Sequence, residues 1–489
     1  MGEVWGLTLS EASELIRKRT LSPVDLVRSH LDRIAAVEPH LLAWARMLPE
    51  QALAEAERLE KLLEKGTHLG PLHGIPVGIK DIYYTAGVET TGGSRVLAGF
   101  IPTYGATVVR RLRAAGAIVL GKTATTEFAY ADPAPTRNPW NPGHTPGGSS
   151  SGSAAAIAAG MCLGAFGTQT VGSIVRPAAF CGVVGLKPTY GRVSRHGILP
   201  LAWSLDHPGP MAKTVRDAAL LLGAVAGPDP DDPSAAHRPV PHYAEMLGNP
   251  LGGLTAGIPD RYFPERSSAA VRTAFQDALR VLEGLGMRVL DVQLPACFEA
   301  GVEAGRVVLH AEAAAFHRDR FRARPKDYGP KLAALIEAGL LVPAASYLRA
   351  QQVRSEAMAA MRRLLSEVDV VVTPAAPGPA PEGLGSTGDP VFNAPTSTFG
   401  LPALGVPMGF APPGLPLGLQ IMGRHFDEAT ILRVGAAYEA ATPWHARRPA
   451  TTAPRPRPRS SCSWTTWMRP AWTRRCSSRP GCTTGTTHT

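Results

Sequence analysis

Charge is scarce in this sequence. Asp, Glu, Lys and Arg make up 18% of its 489 residues, against 44% hydrophobic residues. That is ample apolar material for a large core, in one domain or two fused ones. The formal net charge of +10 does not describe the body of the chain: residues 450–489 hold seven Arg and no acidic residue, which leaves +3 on residues 1–449. So neutral a body lacks the electrostatic footprint of a nucleic-acid binder. Cysteine is sparse too. Cys162, Cys181 and Cys297 lie in apolar surroundings and read as small buried residues, while Cys462, Cys476 and Cys482 fall in the tail. No pair is spaced as CxxC or as a Cys/His metal set, so no metal or other cofactor is expected and a reducing cytoplasm is the expected home. The N-terminal MGEVWGLTLSEA has no basic segment leading into an apolar run, so no signal peptide is expected. Gly6 stands where a myristoylation motif needs Ser or Thr. The longest run of small apolar residues, around Ala154–Gly167, is too short and too rich in Gly and Ala for a membrane span.

What is present in quantity is glycine (51) and proline (46), spread along the chain as in a loop-rich globular protein. Thr8-Leu-Ser-Glu11 fits a capping box. Ser22-Pro23-Val-Asp25 fits a second helix start, with proline in the first turn. A third amphipathic helix spans 51–65 and ends at Gly66. Short apolar runs predict buried strands at Ile75–Lys80, Ala117–Leu120, Gly182–Gly185, Val368–Val372 and Leu417–Met422. Helical periodicity appears at 106–115, 154–162, 217–226, 269–285, 311–322, 328–338, 346–366 and 428–441, with a Pro/Gly-rich loop at 374–390. Strands alternating with helices predict an α/β protein built on a mixed sheet. From about Ala450 the pattern stops. The tail has no periodicity, no acid and three Trp. It reads either as a basic binding arm or, preferably, as an artefactual or out-of-frame extension, and disorder is expected there.

Two familiar motifs match by spacing alone. Gly116-AIVL-Gly121-Lys122-Thr123 has P-loop spacing, but its middle positions are strand-like where phosphate needs a loop. Gly148-Ser149-Ser150-Ser151-Gly152 has the GxSxG spacing, yet a proline-rich loop precedes it instead of a strand. His196, His207 and His310 lie downstream, with nothing in their context to single them out as a partner base. A different constellation stands out. Two serine-bearing, Gly-rich loops occur at 147–153 and 167–173, and a lone lysine, Lys80, sits in the apolar run GIPVGIKDI. Apolar surroundings disfavour the ammonium form, so such a lysine can act as a base near neutrality. Relayed through a second hydroxyl, it can take the proton that histidine takes elsewhere. Consecutive N–H groups of a Gly-rich turn can hold an oxyanion. The plain alternatives are that Lys80 pairs with Asp81 or another acid and that the serines cap helices; spacing alone does not decide.

These residues resemble the amidase signature family. The matching segments are HGIPVGIKD (73–81), GHTPGGSSSGSAAAIAAG (143–160), GTQTVGSIVRPAAFCGVVGLKPTYGRVSRHGILPLAWSLDHPGPM (167–211) and GLQIMGRHFDEATIL (418–432), and ATPWHARRP (441–449) resembles a common family end point. The resemblance covers residues 5–449. It implies a single large domain over 1–449: a central mixed, twisted β-sheet covered by helices on both faces. It also implies a Ser–cis-Ser–Lys triad on Ser173, Ser149 and Lys80. Ser173 would be the nucleophile, Ser149, after a cis Gly148–Ser149 bond, the relay, and Lys80 the base. The oxyanion hole maps to the N–H groups of Thr170, Val171, Gly172 and Ser173, leaving Ser150 and Ser151 to order the loop. The family's usual wording has Asp, Gly-Gly-Ser and Ile-Arg here. In this chain Gln169 replaces the Asp, Val171 the first Gly, and the arginine moves to Arg176 behind Val175. A β-branched residue tolerates positive φ poorly, so Val171 must keep an ordinary conformation.

Three functions follow as expectations. The first is a stand-alone amidase acting on a small-molecule amide, or on an ester or carbamate, through an acyl-enzyme. The second is the glutamine-hydrolysing component of a tRNA-dependent amidotransferase, which KPTYGRVSRHG (187–197) also resembles, whereas DPVFNAPTSTFGLPALGVPMGF (389–410) reads more like the stand-alone branch. The third is a non-catalytic RNA-binding protein using the basic tail, against which an intact triad argues. No membrane partner and no nucleic acid are expected on the first reading, and assembly as a homo-oligomer is left open. The substrate pocket is expected within 300–400, with Tyr347, Gln351 and Phe392 as candidate lining residues and core packing as their alternative.

Overall fold

A computed structural model of the chain describes residues 4–450. Apart from Ala450, the tail at 450–489 lies outside the described residues. The first helices start where the sequence caps them. Thr8 Oγ1 accepts from the Glu11 N–H and the Glu11 carboxylate accepts from the Thr8 N–H, closing the capping box of helix Leu9–Arg17. Ser22 Oγ accepts from Val24 and Asp25 at the head of helix Pro23–Leu41. Helix Pro49–Glu64 follows and ends before Gly66, whose φ of 85° suits only glycine.

The strands are Trp44–Met47 (β1), Pro76–Lys80 (β2), Ile118–Thr123 (β3), Gly164–Gln169 (β4), Val184–Lys187 (β5), His207–Ala212 (β6), Thr255–Pro259 (β7), Arg288–Val292 (β8), Val370–Pro374 (β9), Ala403–Ala411 (β10) and Leu415–Gly423 (β11). They form one sheet in the order β1-β3-β2-β4-β6-β5-β10-β11-β9-β7-β8. The β3-β2-β4 and β9-β7-β8 runs are parallel, and the remaining pairs are antiparallel. The sheet is therefore mixed, as expected. Every residue of β2, β3, β4, β5, β6 and β9 is buried. Successive side chains point to opposite faces, so burial along the whole length means both faces are covered. Helices flank them. Among the described residues no single helix is long and apolar enough to cross a membrane.

Several predicted boundaries move for identifiable reasons. The helix expected at 154–162 runs from Ser151 to Ala158, and Gly160 at φ 71° ends its path. The strand expected at Gly182–Gly185 is Val184–Lys187, because Gly182, at φ 66°, is the left-handed cap of helix Val175–Cys181. The helix expected at 311–322 is the second half of a 26-residue helix, Phe298–Ala323. The P-loop match is structural: Gly121, Lys122 and Thr123 lie inside β3. The Lys122 ammonium is buried against Tyr83 O (2.8 Å), Thr90 Oγ1 (2.7 Å) and Asp81 Oδ1 (3.0 Å).

Candidate active site

The parallel register of β2 against β4 carries Lys80, at the end of β2, to the end of β4, where the chain turns through 167–173. The loop bearing Ser149 packs between them. Helix Ser151–Ala158, which follows it, is Ser, Gly and Ala at all positions but Ile157, and at Gly152 nothing larger fits. A Cβ on Gly152 would collide with Ala43 O and Ala124 N. A Cβ on Gly167 would stand 2.5 Å from Ser150 Oγ. The small residues let two loops and a strand end share one volume.

Lys80 is fully buried. Its Nζ donates to Ser149 Oγ (2.7 Å), Thr168 Oγ1 (2.8 Å) and, more weakly, Thr168 O (3.4 Å). Burial pushes its pKa well below the ordinary lysine value, with the Asp206 charge opposing the shift. Asp81 does not pair with Lys80; it is held by Lys122 and by Thr91. The Gly148–Ser149 peptide bond is cis.

The segment after β4 is tied down at both ends. Gln169 Oε1 accepts from the N–H groups of Ile174 (2.9 Å) and Val175 (3.0 Å). Its Nε2 donates to Ser397 Oγ (3.1 Å), and Ser397 in turn donates to Val171 O (2.9 Å). Thr170 Oγ1 donates to Asp206 Oδ1 at 2.5 Å, and Asp206 also accepts from the backbone of Leu201 and Ala202. Arg176 is spent on Gly148 O (2.7 Å), Gly388 O (2.6 Å) and Thr387 Oγ1 (3.1 Å). A neutral amide, Gln169, and the arginine at 176 thus brace the turn. Val171 is not among the described non-glycine residues with positive φ. The backbone N–H groups of Thr170, Val171, Gly172 and Ser173 donate to nothing among the described residues. Ser173, 7% exposed, makes no side-chain hydrogen bond there either.

The structure thus joins Lys80 and Ser149 by a hydrogen bond and supplies the turn with Ser173 and its four N–H groups. Ser150 Oγ bonds the Thr168 backbone and Ser151 Oγ bonds Gly147 O, both ordering the loop. No ring of His196, His207 or His310 bonds a serine of either loop; His207 Nδ1 meets Gln169 O and Leu205 O, and His310 Nδ1 meets Arg306 O in its own helix. Sequence reasoning missed Thr168 and Asp206. Thr168 was findable: it lies two residues before Thr170, on the same face of an extended segment. Asp206 comes from a distant turn and had no local signal.

A cavity of about 210 Å³ opens beside Thr168 and Thr170, with Asp206 in its wall and residues 195–203 forming most of the rest. A second cavity, of about 820 Å³ and lined by residues between Ala300 and Val353, falls within the range 300–400 expected for the pocket. Phe392 is fully buried against Phe263, with ring centroids 5.1 Å apart. Tyr347 bonds Glu312 and Gln351 and, like Gln351, does not line the cavity.

In comparison with known proteins, the family model Amidase matches residues 25–432. A glutamyl-tRNA(Gln) amidotransferase subunit from Chloroflexus aggregans is 42% identical over 92% of this chain and 99% of its own length. Among solved structures, a peptide amidase in complex with the inhibitor chymostatin superposes with a TM-score of 0.80 at 35% identity, covering 90% of this chain and 98% of its own. The corresponding glutamyl-tRNA(Gln) amidotransferase subunit from Thermotoga maritima superposes at 0.75 and 33%, covering 90% of this chain and 96% of its own.

Proposed function

The chain belongs to the amidase family, and from that membership we propose that it hydrolyses a carboxylic amide to carboxylate and amine through a seryl acyl-enzyme. Ser173 Oγ attacks the carbonyl carbon. Its proton passes to Ser149 Oγ while the Ser149 proton passes to the neutral Lys80 amine. The oxygen that gains charge faces the N–H groups of 170–173. When the C–N bond breaks, Lys80 returns the proton through Ser149 to the departing nitrogen. Water then attacks the ester by the same path, releasing carboxylate and restoring Ser173.

The observation that carries this reading is the 2.7 Å contact between Ser149 Oγ and a buried lysine that has hydroxyls, and no carboxylate, as its side-chain partners. In the neutral amine the same contact runs with Ser149 donating. The Ser173 link closes when substrate binds; such hydrogen bonds are often long or open without substrate. The unspent N–H groups beside Ser173 support the oxyanion role, because donors without a partner among the described residues are available to a developing negative charge.

The second reading, the glutamine-hydrolysing component of an amidotransferase, is favoured by the 42% identity to one such protein. The higher TM-score to the peptide amidase favours a stand-alone hydrolase. An aryl amide given to the purified chain separates them. Turnover without glutamine or partner chains is expected; activity only with glutamine and added partner chains overturns the first reading. Ser173→Ala is expected to lower kcat by about 10,000-fold or more. Near wild-type turnover in that variant overturns both.

A further inference from the structure

The cavity beside Thr168 and Thr170 has a composition that selects its occupant. Its volume is about 210 Å³. A cavity of about 150 Å³ already holds a benzene ring. The walls are Ile82, Ile198, Leu199, Leu201 and Pro208. At the rim stands Trp203, 58% exposed although it is the largest of side chains. Tyr104, 46% exposed, lies tilted against His196, another lining residue, with ring centroids 5.2 Å apart.

The charged groups around this space are already used. Arg195 lies between the rings of Tyr190 (5.0 Å) and Trp203 (4.5 Å). Its donors go to Ser234 Oγ and Trp203 O, and it pairs with Asp232 at 3.7 Å. Asp232 accepts further from the Arg195 and Ser234 backbone. Asp206 is committed to Thr170, Leu201 and Ala202. Asp231 pairs with Arg110 on the outside. A charged ligand group would enter an apolar space without a free counter-charge, at a desolvation cost it could not recover.

We propose that this cavity receives the uncharged, ring-sized apolar substituent of the amide substrate, so that the preferred substrates are aryl or similarly compact hydrophobic amides. The inference rests on the hydrolase reading of the same site. Thr168 and Thr170 connect the two: one holds Lys80, the other begins the turn of free N–H groups, and both line the cavity. A substituent seated there lies against the residue whose hydroxyl holds Lys80 and the residue that opens the turn of free N–H groups.

Binding tests this separately from chemistry. In Ser173→Ala protein, calorimetry is expected to show benzamide binding at least about 10-fold tighter than acetamide, the order of discrimination a hydrophobic pocket supplies. Ile198→Phe, which fills the space from a half-buried wall position, is expected to remove that preference and leave acetamide unchanged. Trp203→Ala, at an exposed position, is expected to weaken benzamide by several-fold and keeps the test open if the first variant does not fold. Equal affinities for the two amides overturn the proposal, as does a benzamide affinity that neither variant changes, or one that falls in parallel with acetamide. Turnover that survives Ser173→Ala is a different result: it overturns the hydrolase reading.

Discussion

Lys80 and Lys122 stand one strand apart, on β2 and β3, and both are completely buried. Burial pushes both below the ordinary lysine value. Their surroundings then diverge. Lys122 has a carboxylate at 3.0 Å, a carbonyl and a hydroxyl, which together compensate a full positive charge. Lys80 has two hydroxyls and one distant carbonyl, and the carboxylate whose field reaches it, Asp206, is bound to other groups. Burial disfavours the charge of both, and what differs is whether an anion offsets that cost. A lysine offset by an anion serves as a structural cation. One offset only by hydroxyls sheds its proton readily and is suited to accept one again.

The comparison breaks most sharply on exchange of each lysine for methionine. Lys80→Met is expected to lower kcat by about 10,000-fold or more while the urea midpoint changes little, since no buried charge is left alone. Ser149→Ala is expected to lose about 100- to 10,000-fold in kcat, as a proton-relay group does, and less than Ser173→Ala. Lys122→Met is expected to do the reverse of Lys80→Met. It strands the Asp81 carboxylate and costs about 3–5 kcal/mol of stability, and the fraction that remains folded retains its turnover. Adding Asp81→Asn to Lys122→Met is expected to recover much of that loss. Equal effects of the two lysine exchanges on stability and on rate would erase the distinction. The smallest effect is expected from Gln169→Leu, which removes the acceptor for two N–H groups. A loss of about 1–3 kcal/mol should appear in denaturant melts, with kcat falling more than KM rises.

The sequence made Lys80, Ser149 and the 167–173 turn visible because their signals are local: a lysine in an apolar run and glycines around serines. It also located the strands that are continuous apolar runs, β2, β3, β9 and β11. It hid β4, β6 and β10. β6 reads HPGPMA and carries two prolines, β10 carries Pro407 at a register shift, and β4 carries two glycines. Those strands are held by their neighbours in the sheet rather than by their own propensity. Partners from far along the chain were hidden for the same reason. Asp206 on Thr170 and Ser397 on Gln169 join segments 36 and 228 residues apart, and no short-range pattern announces such pairs.

Because the account turns on the protonation of one amine, the most direct measurement is the titration of lysines labelled with ¹³C at Cε, followed by NMR in wild type and in Lys80→Met. Lys122 and Lys187 are also held below the ordinary lysine range, so the diagnostic resonance is the one that titrates well below that range, disappears in the variant and coincides with the acidic limb of kcat/KM, where rate rises with pH as Lys80 loses its proton. A Lys80 resonance titrating at the ordinary lysine value, or an acidic limb unrelated to it, would contradict the account.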